Sequence, residues 1–202
     1  MMPHPGRHPC ATDDSPQRPP GRRRVQDNGP VTPDRQRSSA SAPLLRPGRP
    51  GDAPAIADLI LRENQRPADT DAIAASLASA PSVVALEGDE LVAFFYGRPF
   101  APDIVEMQNM LVAERHRARG LGRKIVGRAE DDLRRAGYHA AVGANSVLHP
   151  GTSPERCMVA RAFWIRMGWR IALATGGSVV LVRWLGPPGH DGPAEPERPG
   201  VP

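Results

Sequence analysis

Proline divides this chain before any other residue does. Eleven of its 24 prolines fall within the first fifty residues and six more follow Leu185. A ring that fixes φ and removes an N–H donor interrupts regular structure at that density. Residues 1–42 are otherwise rich in Arg, Ser and Asp, with almost no large apolar side chains, too little to offset the entropy of ordering. Between the tails lie about 140 residues, enough to bury one good core. The expected organisation is a disordered Pro/Arg-rich tail over 1–42, one globular domain over 43–186, and a disordered Pro/Gly-rich tail over 187–202.

Charge and cysteine exclude several classes. The formal net charge is +4, and Lys124 is the only lysine. The run Arg22-Arg23-Arg24 could touch a polyanion through counterion release, but the rest of the tail is unpatterned, and a solvated arm is the favoured reading over a nucleic-acid-binding one. Two cysteines, Cys10 and Cys157, make no disulfide framework. No apolar run approaches the roughly 18 residues a bilayer demands, and the first thirty residues hold no signal-type block. The expectation is a cytoplasmic protein with no membrane partner.

Inside the domain the hydrophobic period changes repeatedly. Leu44-Leu45-Arg46 reads as a strand, and Asp52 with Pro54 as a helix start continued by Ile56, Leu59 and Ile60. Thr70 is the expected cap of a second helix through Ile73 and Leu77. Strands follow over 82–86 and 91–96 around a Gly88-Asp89 turn, closed by Pro99 and Pro102. In 104–112, Glu106, Gln108, Met110 and Val112 alternate onto one face; Val105, Met107, Asn109 and Leu111 take the other. Leu121, Ile125, Ala129 and Leu133 stripe a helix that Gly137 ends. Then come a strand from Tyr138 to Gly143, a polar loop 145–153, a helix through Val159, Phe163 and Met167 stopped by Gly168, and a hairpin around Gly176-Gly177. The order is that of an α/β layered domain with a mixed sheet.

The chemistry concentrates between the central strand and the striped helix, at Arg117-Ala118-Arg119-Gly120-Leu121-Gly122. Glycines let a backbone approach a ligand closely and point successive N–H groups at it, and the helix start adds a positive dipole end. Arg115, Arg117, Arg119, Arg123 and Lys124 add charge suited to a ligand with several phosphates. A plain Gly-rich turn is the alternative. A dinucleotide fingerprint lacks its third glycine, since position 125 is Ile, and no Walker loop occurs.

Three blocks resemble the GNAT N-acetyltransferases: Leu44 to Ile56, Met110-Leu111-Val112 followed by Arg117 to Gly122, and Ala160 to Trp169. The resemblance implies a mixed, mostly antiparallel sheet, splayed at its middle strands and flanked by helices. It implies acetyl-CoA as cofactor, with backbone groups of Met110, Leu111 and Val112 along the pantetheine arm and the amides of Arg117, Ala118, Arg119, Gly120, Leu121 and Gly122 on the pyrophosphate, beside Arg123. Asn145 falls where many members place a polar contact to the cofactor; a turn-forming residue is the equal alternative.

Direct transfer requires an amine, with a pKa of about 10, to lose a proton, and donors for the carbonyl oxygen. By resemblance Glu106 is the candidate base, on the face of Met110 and Val112; a strand acid paired to a nearby arginine is the alternative. The family's late-helix tyrosine acid is replaced by Trp164, whose indole cannot serve; Ser146, His149 or Cys157 are left open for that role. Cys157 itself reads as a packing residue. No metal-ligand spacing occurs. The expected function is therefore an acyl-CoA-dependent N-acyltransferase acting on a small-molecule or protein amine, with a homodimer left open. The alternatives are a coenzyme A-binding module without turnover and a scaffold for a nucleic-acid-binding tail.

Overall fold

In the computed structural model, residues 42–147 and 153–186 are described; the expected tails, Ala42 apart, and His149 lie outside them. Strand β1 (Leu44–Pro47) leads through a 3-10 turn (Pro50–Asp52) into helix α1 (Ala53–Asn64) and then α2 (Thr70–Ser79). Strands β2 (Val83–Glu87), β3 (Glu90–Ala101) and β4 (Ile104–Val112) follow, then a second 3-10 turn (Glu114–His116) and helix α3 (Leu121–Arg135). The chain closes with β5 (Ala140–Ser146), α4 (Pro154–Arg166), β6 (Arg170–Ala174) and β7 (Ser178–Trp184). One seven-stranded sheet results, in the order β1-β2-β3-β4-β5-β7-β6. Only the β4–β5 pair is parallel.

Alternation explains why helices cover both sheet faces. Phe94 and Phe95 point to opposite faces of β3, yet both are fully buried, and each contributes about 2 kcal/mol by leaving water. Ile56, Leu59 and Ile60 of α1 and Ile73 of α2 join the core, as do Leu121, Ile125, Ala129 and Leu133 of α3. The expected α3 stripe also carries a charge. Glu130 is buried, accepting from Arg183 of β7 at 3.2 Å and Arg134 at 3.3 Å, so the helix is tied to the sheet by an ion pair.

Several expectations shift. Asp52 does not cap α1; its carboxylate takes the Arg49 N–H at 2.8 Å and the Arg46 guanidinium at 2.6 Å. The cap of α2 is Asp69, accepting from Ala72 N–H at 3.0 Å, one residue before Thr70. Strand β3 runs through Pro99 to Ala101 because β2 stops pairing at Phe95, so the proline lies where that edge needs no donor. Strand β5 extends through Asn145 and Ser146, which pair with β7. On α4 the buried face is Cys157 and Trp164, and Val159 is 68% exposed.

Candidate functional site

Strand pairing opens a gap in the middle of the sheet. The β4–β5 ladder joins only Ile104, Val105 and Glu106 to Ala140, Ala141 and Val142. Beyond Glu106, β4 continues on β3 to Val112, while β5 continues on β7 to Ser146. The two strands part there.

Backbone direction along β4 decides what lines that gap. Ala113 N–H donates to the Val92 carbonyl at 2.8 Å. Alternate residues of an antiparallel ladder turn their N–H and C=O groups to the same neighbour. Leu111 therefore faces β3 as Ala113 does, whereas Met110 and Val112 turn toward the gap. The Val112 carbonyl already accepts from Arg117 Nε at 2.8 Å. The backbone groups left to bind along the gap belong to Met110 and to the Val112 N–H.

At the end of β4 the chain makes an amide-lined turn. Ala118 (φ 58°) and Gly120 (φ 83°) are both left-handed, and such alternation turns successive N–H groups into one concavity. The Arg117 N–H is used in the turn, donating to the Glu114 carbonyl at 3.0 Å, and Lys124 N–H donates to Gly120 at 3.2 Å. Among the described residues, no backbone acceptor takes the N–H groups of 118–123. Ala118 holds a conformation that costs a non-glycine residue of order 1 kcal/mol or more. At Gly122 space is tight: a Cβ there would lie 3.2 Å from Met110 Cε, which would have to shift slightly, and 3.5 Å from the Phe163 ring.

The arginines around the turn divide into two groups. Arg115 pairs with Glu90 at 2.5 Å, and Arg117 with Glu63 at 2.5 Å. Glu63 also takes the Glu114 N–H at 3.2 Å, and its own carbonyl accepts from Arg156 of α4 at 3.3 Å. Arg115 and Arg117 are thus neutralised in place. Arg119, Arg123 and Lys124 have no ion pair among the described residues. Across the gap, Asn145 Oδ1 is buried without a hydrogen-bond partner among the described residues, an acceptor that a ligand N–H or a water would satisfy.

The face assigned to Glu106 requires correction. Tyr96 pairs with Asn109 and Gly97 with Met107, so Gln108 is an extra residue, a β-bulge. An inserted residue reverses the alternation. Arg98 pairs with Glu106 and Phe95 with Met110, which sets Glu106 on the face of Tyr96, Asn109 and Leu111, opposite Met110 and Val112. Arg98 Nε donates to the Glu106 carboxylate at 2.8 Å, the two side chains being 60% and 29% exposed. On this face Asn109 bonds the Tyr96 hydroxyl, and burial pushes that phenol upward, keeping it protonated.

The late helix offers no acid at its tyrosine-equivalent position. Trp164 is buried, with ring centroids 4.9 Å from Trp169 and 5.1 Å from Phe163. Cys157 is buried and free. Ser146 accepts from Ser178 at 2.6 Å and donates to Gly177 at 3.3 Å. No cluster of three or more His, Cys, Asp or Glu among the described residues could hold a metal, and no described helix is long and apolar enough to cross a membrane.

A helix-flanked mixed sheet that parts after its one parallel ladder, with an amide-lined turn at the mouth of the opening, is the architecture of the acyl-CoA-dependent N-acyltransferases. The family model described as acetyltransferase (GNAT) family matches residues 53–149, and the fold is that of solved members of that family. Escherichia coli ribosomal-protein-S18-alanine N-acetyltransferase superposes with a TM-score of 0.59 at 15% identity, covering 74% of this chain and 97% of that one. An Escherichia coli GNAT family N-acetyltransferase in complex with CoA gives 0.55 at 23% identity, covering 72% and 82%. Aminoglycoside 6'-N-acetyltransferase complexed with coenzyme A gives 0.58 at 16% identity, covering 71% and 98%. At these identities the likeness shows the fold. No curated protein matches the chain.

Proposed function

We propose that this chain transfers an acetyl group from acetyl-CoA to an amine by direct attack, with both substrates bound together. The observation that carries the reading is the conjunction of a parted β4–β5 pair with unbonded amides over 118–123 at the mouth of the gap. Those amides, at the start of a 15-residue helix, suit a pyrophosphate, and Arg119, Arg123 and Lys124 supply unspent positive charge. The backbone of Met110 suits the amides of an extended arm, and the orphaned Asn145 oxygen suits an N–H from the same ligand.

Acetyl-CoA supplies a thioester carbonyl, at which the C–N bond forms as the C–S bond breaks and coenzyme A leaves as the thiol. Glu106 takes the proton the amine loses, directly or through one water, and Arg98 orients its carboxylate. The Val112 N–H faces the gap and is the backbone donor for charge on the carbonyl oxygen. With Trp164 buried against the Phe163 and Trp169 rings, no side chain is assigned to protonate the thiolate. A thiol of pKa about 8.5 leaves readily enough for water to do so.

Titration calorimetry of the full chain with acetyl-CoA, followed by thiol release with a panel of amines, tests the reading. Glu106→Gln should lower turnover by about 100-fold or more while leaving the acetyl-CoA dissociation constant unchanged. Full turnover in that variant removes Glu106 from the chemistry. The buried Trp164 favours a second reading, a coenzyme A-binding module without turnover, which heat of binding with no thiol release from any amine would support.

A further inference from the structure

A cleft of about 220 Å³ lies between the α1–α2 connection, the inner side of α2 and the bulged stretch of β3 and β4. Tyr96 and Asn109 in its wall share the sheet face of Glu106, whose pair with Arg98 is the next along that face, so the cleft and the candidate base lie on the same side of the sheet, opposite α3. Its volume falls below the roughly 300–1,000 Å³ of sites that enclose drug-sized ligands. An amine of amino-acid size, or the end residue of a longer chain, is what it can hold.

The charges in the wall are unequal. Arg66 is half-buried and makes no hydrogen bond or ion pair among the described residues. Nearby arginines differ: Arg62 pairs with Glu90, Arg98 with Glu106 and Arg117 with Glu63. The carboxylate lining the cleft is Asp69, and one of its oxygens is committed to the Ala72 N–H at the start of α2. The remaining polar groups are neutral. The Tyr96 phenol bonds Asn109, Ser76 donates to the Ala72 carbonyl at 2.9 Å, and Gln108 is the exposed bulge residue. A half-buried guanidinium without a counter-ion stabilises an incoming anion strongly, because its five donors are already partly desolvated. A polycationic amine would meet this cation and a single, partly committed acid.

We infer that the cleft binds the acceptor, and that the acceptor is an amine bearing a carboxylate, which Arg66 engages while the amino group is presented toward Glu106. The inference rests on the acyltransferase reading above and narrows it to amino acids and chain-terminal residues with a free acid nearby.

The experiment compares the standard amino acids with their α-amides, which differ in that one charge, together with phosphoethanolamine and a polycationic aminoglycoside. Thiol release from acetyl-CoA is followed for the full-length chain and for Arg66→Gln and Arg66→Lys. In the wild type, kcat/KM for at least one amino acid should exceed that of its amide by about 10-fold or more, as expected for one charge-assisted contact. Arg66→Gln should bring that ratio close to one through KM, and Arg66→Lys should restore part of it. Calorimetry with acetyl-CoA shows in the same preparations that the variants are folded and still bind the donor. A second measurement needs no turnover: the N-acetyl product of the preferred amino acid should bind the coenzyme A-saturated wild type about 10-fold more tightly, or better, than it binds Arg66→Gln. Equal use of amides, selective use of phosphoethanolamine or the aminoglycoside, or product binding indifferent to Arg66 overturns the carboxylate assignment. Absence of any heat with acetyl-CoA overturns the acyltransferase reading itself, so the two failures are distinguishable.

Discussion

Gly97 faces Met107 across the start of the bulge, and a Cβ there would sit 2.6 Å from the Glu106 carbonyl oxygen and 3.1 Å from Val105 Cγ2. Neither a backbone carbonyl in a ladder nor a buried valine gives way easily. Gly97→Ala should cost about 1–3 kcal/mol, the range for forced overpacking, measured by urea unfolding. It should also lower turnover, because the strain is delivered to the residue that carries the candidate base. An unchanged unfolding midpoint would show that β4 shifts freely at this point. The same neighbourhood shows where sequence reasoning stops. Glu106 is legible as an acid on the central strand, since alternation and position both mark it. Its face is not, because counting by twos assumes no inserted residue, and Gln108 carries no sign of being one. Arg117 is a parallel instance: its charge is plain in the sequence, but its neutralisation by Glu63, 54 positions earlier, follows only from the fold.

At the scale of elements, the start of α3 concentrates the donor-binding features. Arg119 and Arg123 remain uncompensated there, so Arg119→Glu combined with Arg123→Glu should weaken coenzyme A binding by about 100-fold or more, as loss and reversal of two phosphate-facing charges implies. Arg117→Gln should act differently. It frees Glu63 and the Val112 carbonyl, so thermal stability should fall while the coenzyme A dissociation constant changes less than in the double variant. Equal effects on affinity from both would mean that Arg117 reaches the ligand after all. Helix and strand identities are readable because periodic apolar residues dominate them. Their ends are less so. Composition suggests Asp52 and Thr70 as caps; Asp69 takes the second place, and the nearby Arg46 guanidinium, which holds the Asp52 carboxyl below the usual aspartate range, diverts the first from its helix.

At the scale of the molecule, the order of strands and helices follows from the sequence and the resemblance places the splay at the middle strands, whereas the rung at which they part does not follow. Partition depends on which backbone groups meet between segments far apart in the chain, and no local pattern encodes it. The consequence lies in how the molecule comes open. Strands β1 to β4 form one leaf and β5, β7 and β6 the other, stitched by three rungs at Ile104 to Glu106. Without a ligand, the second leaf should exchange its amide hydrogens through an opening that leaves the first intact. Coenzyme A at about 100 times its dissociation constant should slow that exchange by about 100-fold, read by mass spectrometry over 140–146 and 178–184, while β2 and β3 change little. Uniform slowing of both leaves would mean that they breathe as one body. If they do not, the thioester carrier is a temporary strand, completing a fabric that the polypeptide leaves unfinished.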